Sequence, residues 1–578
     1  RVHHSFKHDF KIKVTNGAKT FTDRFKTMAA GKDQKVITST ANSHILTHFE
    51  NWLRMVFYEE FENDEGLLTK VARVAQNYTS FNGMALNLPS AINNQVYGTT
   101  MSMVEGAASE FFSLGNWKQS TGIYTSNLGS FISDAGKYAD FSTKASAFTR
   151  EFDIMMDVRE LAENSNPNAN PSGKMVKRGK KLLSSMYILQ NLSEHNLQNR
   201  VLFAMANSHR IVDGKVISFD EYKYGKLEKV DAWGDKAVAK AAVASNKLKV
   251  KDLRKEFEKY TKLYDAYTFD AEYGKLTIDK ELHNLEENTL SDFERRVLGI
   301  NQYLHGIYNK EDAGAIQQYA LGRLAMQFRK WGPGGWNKRW GSRWFDEYWN
   351  ERRRHVDKGI YVSTLHFLGK PISKTWNEFK DSQGTPEQLT VVNAIGKIFN
   401  DYVEFAKNIS LHWHSMTDSE RAGVIRTVVE FAYLNLFVGL LYVAKAMKGN
   451  DDDPPAALMM TLYQLDRAVI ELTTYVPVAY APAIPGVHDG FFGGGFINES
   501  KKILKTPTAT FNTVERIFKM GKFLVSYPFQ EPDERIYQNG IYYGQNKFLV
   551  QVKKSFPVYN QMYRLGNLSK NYKYYKLF

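Results

Sequence analysis

Apolar residues in this chain recur every three or four positions rather than every two. Over 250–264, Val250, Leu253, Phe257, Tyr260 and Tyr264 are spaced 3, 4, 3 and 4, and over 293–307, Phe293, Val297, Ile300, Leu304 and Ile307 keep the same rhythm. Such spacing draws one apolar stripe along an α-helix, whereas a half-buried strand needs a period of two. Start signals agree with it. Ser291 with Glu294, and Thr417 with Glu420 ahead of a helix starting near Asp418, have the spacing of a capping box. Only short β pieces are expected, for instance at Gly214–Phe219, "GKVISF". The predicted fold class is all-α: an extended multi-helix array with long loops and minor β at most.

Turn-forming residues divide the array. "NSNPNANPSGK" (164–174) reads as a linker, "GNDDDPP" (449–455) stops a long helix, and "PAIPGVHDGFFGGGF" (482–496) is too long for a simple turn. The expected segments are a basic helical one at 1–80, a Gly/Ser/Asn-rich one at 81–165, and a helical region at 166–330. A Trp/Arg-rich corner follows at 331–415, then an apolar helical pair at 416–485 and a C-terminal segment with a basic aromatic tail at 486–578. The chain opens on Arg1 with no apolar leader after it, which reads as a processed or trimmed fragment.

A net charge of +14 favours polyanionic partners, nucleic acid or anionic lipid, without choosing between them. With no cysteine, disulfides, thiol chemistry and cysteine-ligated zinc are excluded. Catalytic motifs are not found. "NGAKT" (16–20) lacks the first glycine and the spacing of a phosphate-binding loop, and there is no H-E-x-x-H. Asp153 and Asp157 are spaced one helical turn apart, as on a helix surface, and Asp451-Asp452-Asp453 reads as a solvated helix end rather than a two-metal site. His412 and His414 point to different helix faces, and His3, His4 and His8 lie at a terminus, so no metal, cofactor or catalytic residue is assigned.

Three stretches carry interaction readings. "MQFRKWGPGGWNKRWGSRWFDEYWNERRRH" (326–355) holds five of the ten tryptophans and eight basic residues. Gly332-Pro333-Gly334-Gly335 is expected to break a helix ending near Trp331, after which Trp336, Trp340 and Trp344 share one face. This reads either as a packed helical corner or as a patch that stacks on bases and clamps phosphates. Its nucleic-acid candidates are Arg329, Lys330, Lys338, Arg339, Arg343, Arg352 and Arg353. The tail from Lys547 to Phe578 has seven basic and no acidic residues, which adds Lys553, Lys554 and Lys573. "TVVEFAYLNLFVGLLYVAKAM" (427–447) leaves only fourteen uncharged residues between Glu430 and Lys445, short of the roughly 20 a bilayer core needs. It reads as a buried core helix. With the apolar segment at 454–485, which contains Asp466, Arg467 and Glu471, it also reads as part of a charge-paired assembly able to enter a membrane. Leu434, Leu436, Phe437, Leu440 and Leu441 are the membrane candidates.

Taken in order, several segments resemble one family. These are "FNGMALNLPSAINNQVYGTTMSMVEGAASEFFSLGNW" (81–117), "LSEHNLQNRVLFAMANSHRIVDGKVISFDEYKY" (192–224) and "NQYLHGIYNKEDAGAIQQYALGRLAMQFRKW" (301–331), followed by "SMTDSERAGVIRTVVEF" (415–431), "LDRAVIEL" (465–472) and "ILKTPTAT" (503–510). Their order is similar to that in the large virion proteins of crAss-like gut bacteriophages, over roughly residues 80 to 530. The resemblance implies an all-helical cargo protein, non-enzymatic in this region, stored in capsid and tail and ejected with the genome into the host envelope or cytoplasm. Implied partners are portal and tail proteins, further copies of itself, genomic DNA and, transiently, the host membrane. Two alternatives stay open: the accessory region of a giant virion-packaged RNA polymerase, and a conduit-forming ejection protein.

Overall fold

The computed structural model describes residues 87–134, 139–152, 188–305, 331–341, 359–371, 400–448, 456–473, 509–526 and 529–555, apart from 402 and 540–542, together with 78, 79, 137 and 374. Among them helices dominate, with two two-stranded antiparallel sheets and a few isolated bridges as the β structure, so the fold is all-α as the periodicity predicts. The longer elements are α1 (Leu88–Ala108), α2 (Leu114–Ser126), α3 (Lys144–Phe152), α4 (Ile188–Ser208), β1 (Arg210–Val212), β2 (Lys215–Ile217) and α5 (Lys236–Phe257). They continue with β3 (Tyr267–Asp270), β4 (Lys275–Ile278), α6 (Thr289–His305), α7 (Trp331–Trp340), α8 (Ile360–Leu368), α9 (Asp418–Lys448), α10 (Ala456–Thr473), α11 (Ala509–Ser526) and α12 (Lys547–Ser555).

Local chemistry sets the ends of these elements. Asn87 caps α1 by accepting from the Ser90 amide at 3.0 Å, and Pro89 sits in the first turn, where its missing N–H costs no helical bond. Ser113 and Asn116 cap α2 reciprocally. The "GKVISF" strand forms β2 and pairs with β1 through a tight Asp213-Gly214 turn, both residues at positive φ, which is the dipeptide such hairpins favour. A Cβ on Gly214 would lie 2.2 Å from the Asn284 carbonyl oxygen, so the glycine also permits a close backbone approach.

α4 is the axis of the larger core. Its segment from Val201 to Ala206 is apolar and wholly buried on every side, as expected for a helix surrounded by others. α2, α1 and α6 pack around it, and Phe293, Val297, Ile300 and Leu304 of the predicted stripe face inward from α6. α1 is shared. One side meets α4 through Asn94 to Glu194 (2.7 Å) and Gln95 to Asn196 (3.2 Å). Another side meets α9 and α10 in a second cluster of Met101, Val104, Leu434, Val438, Val469 and Leu472. α1 thus packs against helices that lie more than 300 residues further along the chain.

Three local expectations are corrected. The 250–264 stripe is not one helix: α5 ends at Phe257, because β1 captures the following backbone through Ile211 N–H to Thr261 (3.0 Å) and through Arg210, which donates to the Tyr260 carbonyl. Ser291 does not cap α6. The helix begins two residues earlier, and Thr289 Oγ1 accepts from the Val216 amide (2.9 Å), which docks the helix start on β2. Gly332-Pro333-Gly334-Gly335 does not break a helix, since α7 runs through it, with Pro333 in the first turn of the described span. By contrast the Thr417–Glu420 box forms as predicted, with both bonds at 3.2 Å, and starts α9 at Asp418.

Candidate functional site: a helix with its charges turned inward

α9 runs for 31 residues and is the helix that the apolar reading singled out. Two charged residues in its middle, Arg426 and Glu430, are buried rather than turned to the surface. Arg426 faces the interior and donates to Glu105 in a bidentate pair, Nε to Oε2 at 2.9 Å and Nη2 to Oε1 at 2.8 Å, and donates also to Glu110. One turn on, Glu430 accepts from Arg339 of α7, from Nε at 2.9 Å and from Nη2. Arg339 is 0% exposed, and its Nη1 donates to the Gly335 carbonyl at 3.2 Å. Thr427 closes the inner face against α8, donating to the Ile360 carbonyl at 3.0 Å and accepting from Thr364 at 2.9 Å. The helices meet closely there, since a Cβ on Gly423 would lie 2.7 Å from Ser363 Cβ and Oγ.

Electrostatics follow from this packing. Burial disfavours the charged form of Arg339 and Arg426, but Glu430 beside the one and Glu105 beside the other more than offset it, so both guanidiniums are held even more firmly protonated than usual. Among the described residues Lys338 has no such partner. Its Nζ rests 3.6 Å from Met101 Sδ and 4.6 Å from the centre of the Tyr303 ring. Burial, helped by the neighbouring Arg339, pushes its amine down to about 7. His305, buried nearby with neither ring nitrogen hydrogen-bonded among the described residues, is pushed down to about 3 by burial and then by Lys338, so it is a neutral core imidazole. A buried pair adds little net stability but costs about 3–5 kcal/mol to break from one side, so these contacts fix how α1, α7, α8 and α9 sit together.

The outer face of α9 is the complement. Val428, Leu436, Leu440, Val443 and Met447 are 61%, 50%, 44%, 57% and 73% exposed, with Ala432, Gly439 and Ala446 exposed between them. All eight fall within one arc of the helix, as residues one, three or four apart can, and none carries a charge or a hydrogen-bonding side chain. At 1.5 Å per residue the row is about 29 Å long. Among the described residues α9 is the one helix long and apolar enough to cross a membrane, by length and composition.

Two sets of site expectations are corrected. Lys338 and Arg339 are buried, so in this fold they face other helices and not a nucleic acid; the Arg339 charge is spent on Glu430. Leu434 and Leu441 are also buried, against α1 and α10, because they lie on the ion-pair side of α9. Phe437 is half-buried, and Leu436 and Leu440 are exposed as the membrane reading requires. Lys553 is half-buried in α12, and Lys554 lies in the same helix. Arg329, Lys330, Arg343, Arg352, Arg353 and Lys573, with Asp153, Asp157, Asp451, Asp452 and Asp453, lie outside the described residues.

Sequence reasoning passed over Val428, Ala432, Val443 and Met447, although their spacing with Leu436 and Leu440 gave a signal. It also passed over the partners Glu105 and Glu110, for which local sequence gives none. In the Trp-rich stretch, Trp336 and Trp340 do share a face, with ring centres 5.9 Å apart, and Trp340 packs edge-on to Tyr361 at 5.5 Å. His412 is a core histidine wedged between Trp233 (4.3 Å) and Phe405 (4.8 Å). Among the described residues no three His, Asp or Glu side chains group as metal ligands would. Comparison with family models, with curated proteins and with solved structures gives no match.

Proposed function

We propose that the chain is a bacteriophage virion protein, an internal cargo component stored in capsid or tail and delivered with the genome, and that the described residues do mechanical rather than chemical work. The observation that supports this reading is how the buried ionisable groups are used. Arg339 with Glu430, Arg426 with Glu105 and Glu110, and Arg296 with Glu221 each tie one stretch of helix or loop to another. An interior held by ion pairs, in a chain without cysteine, can be taken apart and rebuilt without covalent change. That suits a protein that must pass a narrow channel.

The partners on this reading are portal and tail proteins, further copies of the chain, and packaged DNA, which its charge of +14 favours. Arg329, Lys330, Arg343, Arg352, Arg353, Lys553, Lys554 and Lys573 remain the DNA-contact candidates. The deciding experiment is mass spectrometry of purified particles before and after triggered genome release, following peptides of this chain. Loss together with the DNA is the expected result. Retention at full copy number identifies a fixed portal or tail part and ends the ejection reading.

A further inference from the structure

The outward row on α9 needs an occupant, and the surroundings restrict what fits. Full insertion of α9 across a bilayer would carry Arg426 and Glu430 into hydrocarbon without Glu105, Glu110 and Arg339, which belong to other elements. The inner face therefore stays on the body, and only the outer arc is available. A second copy of the chain is a poor occupant on two counts. Each copy carries +14, so two copies repel. The row also offers no polar or charged side chain to set the register of a helix pair, a role that buried polar and flanking charged positions fill in paired helices. A surface that is apolar within and negative at its face meets both conditions: acyl chains accept an uncharged arc of mixed large and small residues in any register, and anionic headgroups attract a chain whose net charge is +14.

We propose that the outer face of α9, centred on Leu436, Leu440 and Val443, docks on an anionic phospholipid bilayer, lying along it while the inner face keeps its ion pairs. The lipid-facing residues are Val428, Leu436, Leu440, Val443 and Met447. This inference does not rest on the virion reading, since it concerns the surface of the folded chain and would hold wherever that chain meets a bilayer.

The test uses the full chain and vesicles of phosphatidylglycerol and phosphatidylethanolamine in a co-sedimentation assay. The wild type is expected to pellet with the vesicles, and Leu436→Glu/Leu440→Glu to lose at least tenfold in partition coefficient. Both side chains are half exposed, and neither touches an ion pair, so the double variant is expected to melt within a few degrees of the wild type. A second measurement is independent of loss of binding. Because the chain has no cysteine, Leu440→Cys gives a single site for a polarity-sensitive dye. Its emission is expected to shift to the blue on adding vesicles, while dye on Leu282→Cys, exposed on the loop after β4, does not shift. Failure of the wild type to pellet overturns the proposal. So does pelleting with the Leu440 dye still in water, which assigns binding to basic residues elsewhere. A dimer in sedimentation equilibrium that the double variant abolishes, without vesicle binding, gives the face to a second copy and overturns the lipid assignment.

Discussion

Residue by residue, the interior depends on a few charges whose partners are far away in the chain. Arg339→Met leaves Glu430 buried and unpaired, so it is expected to cost about 3–5 kcal/mol, while Arg339→Met/Glu430→Met, which removes both charges, recovers most of that loss. Urea unfolding of the single and double variants checks it. Lys338 gives a pH dependence of defined sign. Its amine lies near 7 in the fold against about 10.5 in an unfolded chain, so the unfolded state holds more protons between those values. The contribution to stability is complete above about 10.5 and is lost as pH falls to about 7. Lys338→Met is expected to flatten that part of the stability profile. His305 adds a second window by the same rule, with stability lost as pH falls from about 6.5 towards 3. At this scale the sequence showed Glu430 as a charge inside an apolar helix, but it could not show that Arg339 answers it, nor that Glu105 and Glu110 answer Arg426. It misread Lys338 and Arg339 because a basic pair beside tryptophans has the same local pattern whether it stacks on bases or is packed in a core.

For the elements, what is local was legible and what is packed was not. The Thr417–Glu420 box and the short β piece at 214–219 follow from local residue chemistry, and both were readable, although the pairing of that piece with 210–212 was not. Thr417→Ala is expected to cost about 1 kcal/mol by loss of the cap. The boundary of α5 was not readable, because β1 decides it from some 50 residues away. Which side of α9 faces in was not readable either, since period alone gives a stripe and not its direction. The crossing of α8 over α9 makes a sharper test. Gly423→Val puts a branched side chain where Ser363 already sits, and is expected to cost about 1–3 kcal/mol, more than Gly423→Ala. Thermal melting of the two variants ranks them, and equal melting temperatures would mean that α8 can slide.

Over the whole molecule, the all-α class was legible from periodicity, whereas the route by which the halves join was not. A helical array suggests contacts close in sequence and rapid refolding, yet α1 packs against α9 and α10 across more than 300 residues. Loop closure over such spans slows folding, so refolding from urea is expected to be slower than for a helical bundle with local contacts, with the phase that protects α9 the last to finish. Pulse-labelling hydrogen exchange on α1, α4 and α9 measures that order.

The pairing of Glu105 and Glu110 with Arg426 sets a timetable. When the chain is made, or threaded amino end first through a pore, two carboxylates emerge, one on α1 and one just after it, more than 300 residues ahead of the guanidinium that answers them. Until it arrives they are better left in water than buried, so the early half has reason to stay ajar. Arg426 then acts as a late clasp, and a chain cut short before it would carry the lock without the key.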